Sequence, residues 1–241
     1  MTTCPHCHSP NIVRNGKCYY GKQNYKCRHC RRQAVAREPE RLFSRDDLLK
    51  EMLLERLSLR AIARIFKVSV GWLVPRVKAL WQQVDEQLPL GNLEKTEVEL
   101  LCVEADEQWS FVGAKDCPVW LWQAVERGTG LVVGYHVGER NGEGAKGLWL
   151  SIPAAIRLKA LVFTDGLEAY GAVFEKGQHQ PKGKKETTRM ERLNNTLRQR
   201  CARLVRKTLS FSRSWENHRL AIRYFLYNYN LERLAIKPAL L

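Results

Sequence analysis

The strongest constraint on the fold lies between residues 98 and 165, where short apolar runs alternate with turn signals and then give way to a helix-like stretch. Val98-Glu-Leu-Leu-Cys-Val103 leads into Glu104-Ala-Asp106-Glu107. Phe111-Val112-Gly113 and Val119–Val125 read as a second strand system, Gly128-Thr-Gly130 as a turn, and Leu131–Val137 as the returning strand. Strands joined this closely pair antiparallel, so the pattern predicts a meander. Residues 142–156 then read as a helix carrying Leu148, Trp149 and Ile152, and Ala160–Thr164 as a fourth strand ending at Asp165-Gly166. A strand reached through a helix returns parallel.

Three meander strands, a helix and a parallel strand make the order of an RNase H-like fold, a mixed α/β (α+β) architecture with its first strand central and its fourth beside it. Asp106 and Asp165 then sit at the ends of neighbouring strands and share metal ions. Glu104 and Glu107 compete with Asp106 for that role, and alternation puts Glu104 on the face of Asp106. Asp165-Gly166 after a strand is also a common turn.

Charge is unevenly spread. The chain of 241 residues carries a net +15, yet residues 90–174 are acidic at −5 and residues 175–241 carry +11. Basic flanks around an acidic middle suit a protein that grips nucleic acid at both ends and holds cations at its centre. The chain begins without a basic-then-apolar leader, and no apolar run approaches the ~20 residues of a membrane span. Its eight cysteines are therefore expected in a reducing cytoplasm, where paired cysteines mean metal or redox chemistry.

Cys4-Pro-His-Cys7 and Cys27-Arg-His-Cys30 are two CxxC pairs. Each offers two thiolates from one tight turn, and together they complete a tetrahedral zinc shell. His6, His8 and His29 are alternative ligands, while Cys18 lies outside both pairs. Asn15-Gly16, between Ile12 and Tyr20, reads as the turn of a hairpin in a zinc ribbon spanning residues 1–44. Residues 45–88 follow with helical spacing: Ser44 as a cap, Leu48 to Leu57 as a stripe, Leu59 to Phe66 as a second helix, and Ser69 as the cap of a third through Val74 and Val77 to Trp81. This is the layout of a helix-turn-helix, with Arg76 and Lys78 as candidate DNA contacts; an ordinary three-helix bundle has the same pattern. Pro75 sits where the recognition helix should run, so that helix either starts later, near Trp72, or kinks. Residues 89–97, containing Pro89-Leu-Gly91-Asn92, read as a linker to a domain over 98–241.

After a basic loop over 175–185, Thr188-Arg-Met-Glu191 opens a basic helix. The spacing fits a capping box, in which Glu191 bonds the Thr188 N–H. Asn195 and Arg198, four and seven residues on, share the face of Glu191, and such a face suits metal and phosphate better than core. Arg200, Arg203, Arg206, Lys207 and Arg213 continue the basic path.

Asp106-Glu-Gln-Trp109 with Val112-Gly-Ala-Lys115, Thr164-Asp-Gly166 with Tyr170, Arg189-Met-Glu-Arg-Leu-Asn194 and Lys207-Thr-Leu-Ser-Phe-Ser212 together resemble the transposases of the insertion sequence one (IS-one) family. Cys4-Pro-His-Cys7 and Val13-Arg-Asn-Gly-Lys17 resemble that family's zinc-containing DNA-binding segment. The resemblance implies a DDE transposase: catalytic Asp106, Asp165 and Glu191 holding Mg²⁺ or Mn²⁺, Zn²⁺ on Cys4, Cys7, Cys27 and Cys30, and Arg198 on DNA phosphate; Lys207, on the basic path, is a further candidate DNA contact. It implies an enzyme acting in a prokaryotic cytoplasm on the terminal inverted repeats of its own element and on target DNA, as a homodimer or larger assembly. His218, near the family's C-terminal histidine, either approaches the site or is a core residue. Tyr224, Tyr227 and Tyr229 are expected to pack rather than attack DNA. Two other activities fit parts of the pattern: a non-catalytic DNA-binding regulator, and a nuclease without strand transfer.

Overall fold

The computed structural model describes residues 2–18, 23–35, 44–95, 100–175, 177–181, 188–205 and 207–236. Tyr19 and Tyr20 of the expected hairpin, residues 96–99 at the expected start of the large domain, much of the basic loop and Arg206 lie outside the described residues. The chain divides into two compact units, Met1–Asp46 and Asp47–Leu241.

The first unit is a three-stranded antiparallel sheet of β1 (Ile12–Lys17), β2 (Gln23–Cys27) and β3 (Gln33–Val35) in chain order. Asn15-Gly16 is not its hairpin turn. β1 runs through the pair, Gly16 takes φ 69°, and the pairing with β2 shifts register between Arg14 and Lys17. Glycine at positive φ in a strand makes a bulge, which bends the strand without ending it. The same residue preference serves turns and bulges, which is why the sequence favoured the wrong one.

The helices α1 (Arg45–Leu54), α2 (Leu59–Phe66) and α3 (Val70–Gln83) follow the expected helical spacing. Ser58 Oγ accepts from Ala61 N at 3.1 Å, and Ser69 Oγ from Trp72 N at 3.1 Å. Lys67 closes α2 in the left-handed region at φ 54°. Of the two readings of Pro75, the later start is absent: α3 starts at Val70 and includes Pro75. The carbonyl that Pro75 cannot serve belongs to Gly71, which is exposed to water.

These helices do not have a core of their own. Leu49, Ile62, Leu73, Val77 and Trp81 share one hydrophobic cluster with Leu121 of the large sheet, Met190 and Leu193. Leu90 and Leu93, in the expected linker, are buried in a second cluster with Val103 and Leu131.

The large sheet has five strands: β4 (Leu101–Phe111), β5 (Pro118–Glu126), β6 (Val132–Gly138), β7 (Ala160–Thr164) and β8 (His179–Pro181), ordered β6-β5-β4-β7-β8. β4–β5 and β5–β6 are antiparallel, whereas β4–β7 and β7–β8 are parallel. The meander, the crossover and the parallel return beside a central first strand are thus as the apolar pattern required. Two bounds differ. β4 continues to Phe111, so Asp106 lies within the strand and not beyond its end. The crossover helix α4 (Gly142–Ser151) stops earlier than expected, because Pro153 follows and a short α5 (Ala154–Arg157) begins anew.

The sheet is covered on both faces. Leu101, Val103 and Ala105 of β4 pack with Leu148 of α4, Ile156 of α5 and Tyr170 of α6 (Glu168–Gly171). The even-numbered residues of β4 turn to the other face. There Met190, Leu193 and Leu197 of α7 (Thr188–Arg200) and Ile222, Phe225 and Leu226 of α8 (Trp215–Ile236) pack with Val119, Leu121 and Val125 of β5. Among the described residues no helix is long and apolar enough to cross a membrane.

Candidate active site and metal centres

The register of the parallel pair brings two aspartates level. Leu101 pairs with Ala160 and Glu104 with Phe163, and the same offset sets Asp106 opposite Asp165, the first residue after β7. Carboxylate oxygens of Asp106, Glu107 and Asp165 lie within 4.8 Å of one another. The turn expected at Asp165-Gly166 is also present: Gly166 takes φ 91°, and Leu167 N donates to Asp165 Oδ1 at 3.1 Å. Turn and acid are one feature.

Asp106 and Glu107, being consecutive in a strand, are held from opposite sides. Asn194 Nδ2 of α7 donates to Asp106 Oδ2 at 2.8 Å, and Asn194 Oδ1 accepts from Gln123 Nε2 at 2.9 Å. Glu107 is buried. Its Oε1 accepts from Arg140 Nε at 2.9 Å and Nη2 at 2.7 Å, and its Oε2 accepts from Tyr170 Oη at 3.1 Å. Burial, then the charges of Glu107 and Asp165, push Asp106 up to about 6, against the lowering hydrogen bonds from the Glu107 N–H and Asn194. Burial also raises Glu107, which Arg140 partly offsets. Among the described residues, three crowded carboxylates served by one guanidinium are short of positive charge, and their hard oxygen donors fit a divalent cation of the Mg²⁺ or Mn²⁺ type.

Glu191 is not among the clustered acids. It is exposed and has no hydrogen-bond partner among the described residues, Thr188 included. It stands three residues before Asn194, on the flank of α7 next to the residue that grips Asp106. The start of α7 is instead capped from β4: buried Glu104 accepts from Met190 N at 3.0 Å and from Arg127 Nε at 2.8 Å. Glu104 shares the face of Asp106, as alternation requires, and there it seats a helix. His218 is fully buried. Its Nε2 is 3.2 Å from Ser110 Oγ and its Nδ1 3.2 Å from Ser212 Oγ, and burial, with Arg203 nearby, pushes it down to about 4. Ser110 is four residues beyond Asp106 along β4, about 13 Å at strand rise, so this histidine ties β4 to α8. Tyr224 and Tyr229 are buried in the core.

Arg140 and Tyr170 complete the setting of Glu107. Tyr170 and Asn194 belong to the motifs that carried the family resemblance, but nothing local marked them as neighbours of the acids. Arg140 had no local signal, because its partner lies 33 residues away in the chain.

In the first unit the four cysteine sulfurs come together. Cys4 Sγ is 3.6 Å from Cys30 Sγ, and Cys7 Sγ is 3.6 Å from Cys27 Sγ. Four thiolates ~2.3 Å from one zinc ion sit about 3.8 Å apart along the edges of a tetrahedron, so the arrangement fits the ion. The two knuckles match each other. The residue after each pair, His8 at φ 56° and Arg31 at φ 62°, is left-handed, and backbone N–H groups of His6 and Cys30 approach Cys4 Sγ and Cys27 Sγ at 3.4 and 3.5 Å.

Of the candidate DNA contacts, Arg76 is exposed and stacks on Trp72 at 3.9 Å. Lys78 pairs with Glu216 at the start of α8 at 2.9 Å. Arg198 is half-buried and Lys207 exposed.

Residues 99–231 match the family model described as IS1 transposase. The insertion element iso-IS1n protein InsB of Shigella dysenteriae is 43% identical over 127 residues, which is 53% of this chain and 94% of that protein. The insertion element IS1 protein InsB of Shigella flexneri is 40% identical over 127 residues, 53% of this chain and 95% of that protein. The insertion element IS1 2 protein InsB of Escherichia coli (strain K12) is 39% identical over 127 residues, covering 53% and 74%.

Proposed function

This chain belongs to the IS1 transposase family, and on that footing we propose that it cuts DNA at the ends of its own insertion element and joins the freed 3′-hydroxyl to target DNA. The observation that carries the proposal is the meeting of Asp106, Glu107 and Asp165 at the end of β7, inside the matched segment. The strand order supports reading the sheet as an RNase H-like DDE domain. The sulfur cluster supports a zinc ribbon held by Cys4, Cys7, Cys27 and Cys30. The capped α2–α3 pair supports a helix-turn-helix that shares its core with the sheet.

Asp106 and Asp165 would hold Mg²⁺ or Mn²⁺, with Glu191 as the third ligand, turned inward from the flank of α7. When bound, such ions lower the charge on a phosphodiester and align water or a 3′-hydroxyl for in-line attack. Asn194 orients Asp106 by its amide. Arg198, two turns after Glu191 on the same flank, binds DNA phosphate, as do Arg76, Lys78 and Lys207. Two element ends must be held together, so the working form is a dimer or larger, acting on chromosomal DNA in a prokaryotic cytoplasm.

The test is Mg²⁺-dependent cleavage of DNA carrying the element's ends by Asp106→Asn, Asp165→Asn and Glu191→Gln. Each should lose more than the roughly 10–100-fold that removal of an outer-shell partner costs. Activity surviving in all three variants sinks the proposal. Specific binding without strand breakage would identify a regulator, and cleaved ends never joined to target would identify a plain nuclease.

A further inference from the structure

We propose that Arg140 binds the scissile phosphate and that Glu107 is the positioning residue that aims it. The inference rests on the reading of the acidic cluster as a DNA-cutting centre, and it assigns the cation that meets the substrate there.

Arg140 leaves β6 at a corner fixed on three sides. Trp122 Nε1 donates to Glu139 O at 2.9 Å, Asn141 Nδ2 donates to Glu139 Oε2 at 2.9 Å, and Asn141 Oδ1 accepts from Gly144 N at 3.0 Å to start α4. A Cβ at Gly144 would lie 2.3 Å from Glu139 O and 2.4 Å from Trp122 Nε1, so the helix start and the corner are in close contact. From this corner the guanidinium lies over Trp120 at 4.8 Å and reaches Glu107.

The form of that ion pair is informative. A guanidinium that serves only to neutralise a buried carboxylate does best as a two-on-two fork. Here Nε and Nη2 both donate to Oε1, while Oε2 is taken by Tyr170. Glu107 has a side-chain exposure of 2% and Arg140 of 44%, so the carboxylate is the anchor and the guanidinium faces outward. Arginine has five N–H donors, two are spent on Glu107, and among the described residues no other group accepts from the remainder. Those donors lie at the rim of a cluster that includes Asp165, whose charge adds to the stabilisation of the guanidinium. A phosphodiester approaching that cluster brings non-bridging oxygens that match the unused donors in geometry and charge.

The experiment compares wild type with Arg140→Ala on two versions of one duplex carrying the element's ends, one natural and one with a neutral methylphosphonate at the scissile position. Binding is measured in Ca²⁺. Metal contacts to the phosphate are common to both proteins, so the change in the natural-to-methylphosphonate affinity ratio isolates the share of Arg140. A charge-assisted contact predicts that this ratio falls about tenfold or more in Arg140→Ala. A change below about twofold overturns the assignment. Arg140→Gln, which keeps a donor for Glu107 and the packing on Trp120, is read the same way in case alanine loosens the corner. Mg²⁺-dependent cleavage by wild type, run in parallel, reports on the cutting centre itself: cleavage with an unchanged ratio removes only the role of Arg140.

Discussion

Replacing Asp106 by asparagine should stabilise the metal-free protein while destroying its chemistry. Asp106 rises from 3.8 to about 6 on folding, which corresponds to about 3 kcal/mol of unfavourable interaction once the group is charged. The sign follows from proton counting. Below pH 3.8 both states are protonated and nothing is lost. Between 3.8 and about 6 the folded state keeps the proton that the unfolded chain has released, so stability falls as pH rises through that window. Asparagine has no charge to bury. Its Oδ1 can accept from Asn194 as Asp106 Oδ2 does, and its amide can donate toward Glu107 or Asp165. The ceiling of about 3 kcal/mol corresponds to a rise of roughly 6–12 °C in thermal midpoint for a unit of this size. His218 works in the opposite direction: held down to about 4, it contributes stability present above its unfolded pKa of about 6.5 that is lost as pH falls through 4. Wild type alone therefore shows a blunted slope, and the difference between variant and wild type is the quantity to follow. Melts in EDTA at pH 4, 6 and 8 should show a gain at 8 that disappears at 4. Millimolar Mg²⁺ should raise wild type more than Asp106→Asn. An asparagine variant no more stable than wild type in EDTA at pH 8 would refute the account of the crowded carboxylates.

Gly144→Ala forces a methyl against a backbone oxygen 2.3 Å away and should cost about 1–3 kcal/mol by denaturant midpoint; an unchanged midpoint would mean that the corner before α4 yields freely. Metal analysis should find one zinc per chain, lost in Cys27→Ala. Chelation should then expose residues 2–35 to protease, since a sheet this small depends on its ion, and an identical digest with and without chelator would argue against a folding role for the metal.

What the sequence made legible follows from how local each signal is. The sheet order was legible because apolar runs and connection lengths are local, and so were the two cysteine pairs and Asp165 at the end of β7. The course of β4 was not, because Glu104, Asp106, Gln108 and Ser110 make it look like a strand that has ended. Glu104, Asp106 and Ser110 are polar for tertiary reasons, seating α7 and α8. The surface that α1–α3 pack against was not legible, because amphipathic helices declare that one face is buried but not against what. The partners of the acids were out of reach: Asn194 lies 88 residues from Asp106 and Tyr170 63 from Glu107 in the chain. The capping-box spacing at Thr188 was sound helix grammar, yet Glu104 takes the helix start, which leaves Glu191 uncommitted.

The seating of α7 on β4 has a consequence for how this protein can vary. Four helical residues advance about 6 Å and two strand residues about 6.6 Å, so the contacts Glu104–Met190 and Asp106–Asn194 mesh like teeth of equal pitch. The position of Glu191 is then dictated by the central strand and not by the chain that leads to it. A bulge in β4 between residues 104 and 106 would slip one tooth and move α7, with Asn194 and the flank that carries Glu191, along the strand.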